Sequence, residues 1–165
     1  MQPPMSVKSA DDFQTPAHAI IPLLSYIPKT WTIWECACGR NNLVRAFGVA
    51  GYSIIGTDIE HDFLKNDLDM SYDVIITNPP YSIKQSFLIR CYDLGKPFAL
   101  LLPLTTFETK KRQGLFAKHG VEVIFMPTRI NFETPSGRGK GAWFATAWFT
   151  WGLNIGKALT FWGVE

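Results

Sequence analysis

Residues 73–95, DVIITNPPYSIKQSFLIRCYDLG, contain one strand and one helix, and the rest of the fold can be predicted outward from them. The run DVIIT (73–77) is rich in β-branched residues and is typical of a buried strand. NPPY (78–81) ends that strand, because proline has no backbone N–H to donate to a sheet. From Ser82, which can cap a first turn, apolar side chains recur every four residues, as expected for a helix.

The same alternation of strands and helices continues along the chain. Further strands are predicted for TWTIWE, YSIIGTD, PFALLLPL and VEVIFMP, at residues 30–35, 52–58, 97–104 and 121–127. Helices are predicted at residues 15–28, 43–51 and 110–120. In the first helix Thr15 is the predicted cap, Pro16 the first helical residue and Pro22 a kink. The last two apolar segments, 142–151 and 158–164, are expected to pair antiparallel with each other.

This order of elements predicts an α/β fold with a doubly wound, mostly parallel, seven-stranded sheet that has an antiparallel edge. A chain of 165 residues, 47% hydrophobic and 18% charged, is expected to form a single domain, residues 1–165. Neither a bilayer-spanning apolar run nor a signal-peptide pattern is found, which favours a cytoplasmic protein without a membrane partner. Its three cysteines are expected to be free thiols.

The charges are unevenly distributed along the chain. Residues 1–109 hold eight Lys/Arg against 11 Asp/Glu, a net charge of −3, whereas residues 110–140 hold seven against two, a net charge of +5. A basic surface confined to one part of a protein is typical of a polyanion-binding face. A solvated face is an equally good interpretation of the charges alone, so the sequence leaves both open.

Three predicted strands end in, or just before, a polar side chain: Glu35, Asp58 and Asn78. Ligands of doubly wound sheets bind outside the carboxyl ends of the strands, so these side chains are expected to line one edge. Asp58 follows Gly39 by 19 residues, close to the spacing of the ribose-binding acid in NAD enzymes. The loop, however, has one glycine where a pyrophosphate requires three, so a nucleoside without phosphates, such as S-adenosylmethionine, is favoured.

Two other ligand classes are disfavoured by spacing. Cys36 and Cys38 form a C-x-C pair, but the other cysteine and the histidines are too scattered to complete a four-ligand zinc site, so no metal is predicted. The basic run SGRGKG (136–141) lacks the spacing of a phosphate-binding loop.

The NPPY stretch suits a reaction at an exocyclic amine. The N6 amine of adenine is a poor nucleophile. Two hydrogen-bond acceptors that face its two N–H groups orient its lone pair toward an incoming group. Asn78 offers an amide oxygen and Pro79 a backbone carbonyl, which Pro80 holds by keeping residue 79 extended. Tyr81 offers a ring on which a base can stack. A simple turn that ends a strand is the alternative interpretation.

These motifs resemble those of the adenine-N6 DNA methyltransferases, of the class I S-adenosylmethionine-dependent, Rossmann-like fold, particularly the compact phage and bacterial forms. The resemblance implies that the NPPY residues are catalytic. It also implies that the cofactor contacts Phe13 and Thr15 of the F-x-T-P element, and the residues Glu35, Ala37, Cys38, Gly39, Asp58, Ile59, Asp62, Phe63 and Asn78. The later aromatic of the family, expected near the target base, matches Phe132.

The chain departs from the family pattern at Asn41, where a second glycine is usual. Asn tolerates left-handed backbone better than most residues, so the loop is expected to form, with weaker cofactor affinity. No segment is long enough for a separate target-recognition domain, so the predicted phosphate contacts are Lys110, Lys111, Arg138 and Lys140. DNA is the expected partner, with RNA adenine, protein glutamine or a non-catalytic nucleoside-binding module as alternatives. The sequence does not determine the oligomeric state.

Overall fold

The computed structural model describes residues 14–134, 137–138 and 144–164, and a seven-stranded sheet forms its centre. In chain order the strands are β1 (Thr32–Glu35), β2 (Ser53–Gly56), β3 (Val74–Thr77), β4 (Phe98–Pro103), β5 (Glu122–Phe125), β6 (Glu133–Thr134), β7 (Gly137–Arg138), β8 (Thr146–Trp151) and β9 (Leu159–Phe161). The short β6 and β7 pair with each other as a separate antiparallel hairpin.

The strands of the main sheet lie in the order β2-β1-β3-β4-β8-β5-β9. Strand β8 runs antiparallel to its neighbours β4 and β5, while the other pairs are parallel. The predicted fold class, an α/β protein with a mostly parallel seven-stranded sheet, is confirmed.

The predicted pairing of the last two strands is wrong. Strand β8 lies inside the sheet between β4 and β5, and β9 pairs with β5 in parallel at the edge. The reason is burial: residues 146–150 are all buried, and a buried strand needs a hydrogen-bonded strand along each of its two edges. Strand β9 leaves Leu159 and Phe161 about half exposed, which only an edge position allows.

Three α-helices connect the strands: α1 (Asn42–Val49), α2 (Lys84–Leu94) and α3 (Lys110–His119). Short 3₁₀ helices lie at Ala17–Leu23, Tyr81–Ile83 and Leu104–Glu108. No described helix combines the length and the apolar character needed to cross a bilayer.

Two helix starts differ from the prediction. The first segment is a 3₁₀ helix rather than an α-helix, with Pro16 at its cap position and no side-chain cap from Thr15. Pro22 lies inside it and has no N–H for an α-helical hydrogen bond, which favours the shorter form. Helix α2 begins only at Lys84, because Ser82 belongs to the preceding 3₁₀ turn.

The core lies on both faces of the sheet, because successive side chains of a strand point to opposite sides. On one face the first 3₁₀ helix and α1 cover Ile33, Val74, Ile76, Ala99, Leu101, Ile124 and Trp148. On the other, α2 and α3 cover Trp34, Ile75, Phe98, Leu100, Leu102, Val123 and Phe149. Strands with two apolar faces can be covered only by helices on both sides, which fixes the parallel arrangement.

The turn between β1 and α1 requires left-handed backbone at two residues. Gly39 has φ +50° and Asn41 has φ 63°, so the position where Asn replaces the usual glycine has the conformation that glycine would adopt. The expectation that Asn41 preserves this turn is confirmed. Helix α1 therefore begins directly at the carboxyl edge of the sheet.

We predict that the free energy of unfolding discriminates between Gly and Ala at residue 41. Asn41→Gly should be close to the parent, whereas Asn41→Ala should be roughly 1–2 kcal/mol less stable than Asn41→Gly, because a Cβ is strained in left-handed backbone. Urea denaturation of the three proteins measures this difference. Equal stability of the two variants would contradict the left-handed conformation of residue 41.

Candidate functional site

The predicted edge is formed by the carboxyl ends of β2, β1 and β3, which lie side by side and run parallel. Glu35 is the last residue of β1, Asp58 comes two residues after β2, and Asn78 comes directly after β3. The prediction that these three residues stand along one edge of the sheet is therefore confirmed.

A cavity of about 230 Å³ opens at this edge. It is lined by Cys36, Ala37, Asp58, Ile59, His61, Asp62, Phe63, Leu64, Pro80, Ile83 and Phe87. Five of the predicted cofactor residues, Ala37, Asp58, Ile59, Asp62 and Phe63, are thus brought together around one space. Ile59 is 94% exposed, which leaves an apolar side chain at the mouth of the cavity. Phe63 is buried and stacks on Phe87 at 4.9 Å between ring centroids.

The cavity wall is acidic and apolar. Two carboxylates, Asp58 and Asp62, line it, and no Lys or Arg is among the described lining residues. Asp62 accepts a hydrogen bond from the Leu64 N–H at 3.1 Å and forms a salt bridge with the exposed Lys65 at 3.4 Å. Carboxylates repel a pyrophosphate, but they suit hydroxyl groups and a positively charged ligand. These acceptor groups fit the hydroxyls and the positive charge of S-adenosylmethionine and disfavour a dinucleotide.

Glu35 ends β1 at the edge but does not line the cavity. Its side chain is 2% exposed, and its carboxylate accepts a hydrogen bond from the Ala37 N–H at 3.0 Å. Burial raises the pKa of this carboxyl to about 8. At neutral pH Glu35 is therefore largely protonated, and it supports the turn after β1.

Three further predicted cofactor residues, Thr15, Cys38 and Gly39, lie in or beside that turn. The Cys38 N–H donates to the Thr57 carbonyl at 3.0 Å, which ties the turn to the end of β2. Gly39 approaches the Gln14 side chain so closely that an added Cβ would lie 3.0 Å from the Gln14 Oε1. Thr15 is buried, and its carbonyl accepts from the Asn42 side chain at 3.1 Å. These residues join the N-terminal segment to the turn, and Phe13 lies outside the described residues.

The cysteines of the turn, Cys36 and Cys38, are free thiols. Burial raises the pKa of Cys38 to about 11 and that of Cys36 well above its usual range, so both stay protonated at neutral pH. Cys91 is also a free thiol. Within the described ranges no three His, Cys, Asp or Glu side chains stand close enough together to hold a metal ion.

The NPPY residues leave β3 toward the cavity. Pro79 is buried, Pro80 has φ −56° and ψ 122° and lines the cavity, and Tyr81 begins a 3₁₀ turn. Asn78 is half-buried at the end of the strand. Burial raises the pKa of the Tyr81 phenol well above its usual range. The Tyr81 ring is therefore neutral near physiological pH.

Two further aromatic rings continue from Tyr81. Phe144 meets Tyr81 edge to face at 5.7 Å between centroids, and Phe132 stacks on Phe144 at 6.0 Å. The structure therefore brings Phe132 within one ring of the NPPY motif. The sequence does not mark Phe144, because it lies far from Tyr81 along the chain and belongs to no local motif.

Three of the four predicted phosphate contacts, Lys110, Lys111 and Arg138, lie within the described residues. Lys110 and Lys111 are exposed in the first turn of α3, just beyond the 3₁₀ helix that leaves β4 at the carboxyl edge. Arg138 is in β7, part of the connection that leaves β5 and enters β8 at the same edge. Lys140 lies outside the described residues. Arg112 is half-buried and donates to the Thr106 carbonyl at 2.7 Å, so it anchors the start of α3.

Comparison with known proteins identifies the fold. No protein-family model and no curated protein matches this chain. A type I restriction-modification methyltransferase subunit from Streptococcus thermophilus is similar in structure, with a TM-score of 0.54 and 16% identity over 86% of this chain and 45% of that one. The modification subunit of a putative type I restriction enzyme from Vibrio vulnificus has a TM-score of 0.53 and 16% identity, over 87% and 45%.

The chain has the Rossmann-like fold of these methyltransferase subunits. It spans less than half the length of either of them, since 45% of each is covered. At 16% identity the likeness establishes the fold and leaves the substrate to be argued from the site.

We predict that Glu35 makes stability depend on pH in the ligand-free protein. Its pKa of about 8 lies above that of an unfolded glutamate, so the folded protein holds an extra proton between about pH 4.5 and 8. The stability due to neutral Glu35 is complete below this window and is lost as pH rises through it, by at most about 1.4 kcal/mol per pH unit.

Glu35→Gln should remove this slope, and urea unfolding from pH 5 to pH 8 measures it. The variant and the parent should be similar near pH 5, and the variant should be the more stable protein at pH 8. Glu108→Gln, at an exposed site, should keep the parent's profile. Parallel profiles for Glu35→Gln and the parent would show that Glu35 is already ionised in the folded state.

Proposed function

We propose that this protein transfers a methyl group from S-adenosylmethionine to the N6 amine of adenine in DNA. The observation that carries the proposal is the position of NPPY (78–81): the motif continues β3 at the carboxyl edge, and its Pro80 lines the acidic, apolar cavity. A fold shared with methyltransferase subunits of restriction-modification systems supports methyl transfer in general. DNA adenine as the substrate is inferred from the NPPY residues and the basic segment.

The cavity residues provide the groups that would hold the cofactor. Asp58 suits the ribose hydroxyls, Asp62 suits the adenine amine, and Phe63 and Ile59 are apolar surfaces for the ring. The positive charge of the cofactor is favoured by the two carboxylates. When bound, S-adenosylmethionine supplies an electrophilic methyl group.

Asn78 and Pro79 orient the nucleophile in this proposal. The Asn78 side-chain oxygen and the Pro79 carbonyl each accept a hydrogen bond from the N6 amine, which draws the nitrogen toward tetrahedral geometry. Because Asn78 directly follows a buried strand, its backbone is fixed before substrate arrives. No ionised base is required from Tyr81, whose phenol is neutral.

Tyr81 receives the target base. Adenine in a duplex must leave the base stack to reach an enzyme's reacting groups. The Tyr81 ring offers a stacking surface worth about 1–3 kcal/mol per base. Phe144, edge to face with Tyr81, limits the freedom of this ring and so lowers the entropy cost of capturing the base.

We predict that Asn78→Ala abolishes methyl transfer and leaves cofactor affinity nearly unchanged. Loss of one preorganised hydrogen-bond partner typically costs about 100- to 1,000-fold in rate. Tyr81→Phe should be mild because stacking requires only the ring, whereas Tyr81→Ala should weaken capture of the base. Single-turnover assays on adenine-containing oligonucleotides, with N6-methyladenine detected by mass spectrometry, measure the rate; calorimetry measures cofactor binding.

Parallel assays with RNA and with protein substrates distinguish the alternatives. If the parent methylates RNA adenine or protein glutamine and does not methylate DNA, DNA is not the substrate. Full activity of Asn78→Ala would contradict the role of the NPPY motif. Tight binding of NAD with no binding of S-adenosylmethionine would contradict the cofactor.

We predict that Lys110 and Lys111 contribute to nucleic-acid affinity through phosphate contacts. The logarithm of the binding constant should fall steeply with the logarithm of the salt concentration, and replacing both by Ala should reduce that slope by about 2. Fluorescence anisotropy with a labelled duplex measures it. Lys118→Ala, at the opposite end of α3, is the matched control and should leave the slope unchanged. An equal slope in the double variant and the parent would assign these lysines to a solvated face.

A further inference from the structure

His61 lines the cavity but is not among the residues that the sequence marks as functional. It stands at the end of a tight turn in which its N–H donates to the Asp58 carbonyl at 2.9 Å. The Asp58 N–H in turn donates to the Glu60 side chain at 3.0 Å. The turn that brings Asp58 to the cavity therefore also fixes the backbone of His61.

Aromatic packing holds the imidazole ring in place. Trp34, which is completely buried, meets it edge to face at 5.7 Å between ring centroids. Trp34 is itself fixed by a hydrogen bond from its Nε1 to the Thr57 hydroxyl at 2.9 Å and by contact with Phe63 at 5.2 Å. His61 thus occupies the cavity wall on a rigid support.

The Nε2 atom of His61 is buried and has no hydrogen-bond partner within the described part of the chain. A buried polar atom without a partner is unfavourable, and in native proteins such an atom usually pairs with a bound water, ion or ligand. His61 also lines the cavity, so a ligand that fills this space lies beside the imidazole. The two carboxylates of the cavity wall, Asp58 and Asp62, do not hydrogen-bond to this nitrogen.

We propose that His61 is a cofactor-binding residue whose Nε2 hydrogen-bonds to a ribose hydroxyl of the bound nucleoside, an inference that rests on the proposed function. A hydroxyl both donates and accepts, so it pairs with imidazole in either tautomer. Asp58, three residues earlier, accepts from the other hydroxyl of the ribose. His61 and Asp58 together make the cavity specific for an intact ribose.

Calorimetry with S-adenosylhomocysteine tests this pairing. His61→Phe keeps a ring against Trp34 but removes the nitrogen, so it should weaken binding about three- to tenfold. The same variant should be at least as stable as the parent in thermal unfolding without ligand, because it no longer buries the Nε2 atom without a hydrogen-bond partner. His61→Gln, which restores a polar group, should recover part of the affinity. His119→Phe, stacked on Tyr92, is the control and should bind like the parent.

A 2′,3′-dideoxy form of the same ligand locates the contact. The parent and His61→Phe should bind it equally, since the ribose hydroxyls are missing. A difference as large as that for S-adenosylhomocysteine would overturn the assignment to the ribose, and equal binding of S-adenosylhomocysteine by both proteins would overturn the role of His61. If His61→Phe does not fold, His61→Leu takes its place. A parent that binds neither S-adenosylhomocysteine nor S-adenosylmethionine would overturn the proposed function as well.

Discussion

The parallel packing of β2, β1 and β3 is the constraint on which the rest of the molecule depends. Strands β1 and β3 are buried on both faces, so the chain returns through a helix or loop and adds each strand in the same direction, with β2 at the outer edge. All their carboxyl ends then share one edge. Glu35, Asp58 and Asn78 meet there because of strand direction alone. The candidate site is therefore a consequence of the sheet, and its residues need no proximity along the chain.

Glu35 and Asp58 differ in burial at this edge, and their roles differ accordingly. Glu35 ends β1 and Asp58 follows the adjacent β2, yet Glu35 is enclosed and has a pKa of about 8, while Asp58 is half-buried in the cavity wall. A neutral carboxyl can brace a turn without bringing a charge into the core, whereas a carboxylate beside a cavity can bind hydroxyls or a cation. The same side-chain chemistry thus has a structural use at one strand end and a binding use at the next.

The position of β8 inside the sheet has a consequence for the NPPY motif. Because β8 enters the sheet antiparallel, between β4 and β5, its first residue lies at the carboxyl edge, opposite Pro103. Phe144, two residues earlier, consequently reaches the ring of Tyr81. If the last two strands paired with each other at the outer edge, Phe144 would lie farther from β3. The position of β8 therefore brings Phe144 to Tyr81, and this aromatic contact supports the Tyr81 ring.

The sequence by itself determined where the strands β1, β3 and β4 lie, which edge carries the polar side chains, and that Asn41 can replace a glycine. Each of these follows from local chemistry: apolar runs, proline without an N–H, and the tolerance of Asn for left-handed backbone. Only the tertiary structure decided the partners of β8, the burial of Glu35 and the contacts of His61 and Phe144. Those depend on which distant surfaces exclude water together, and side chains far apart in sequence give no local sign of that.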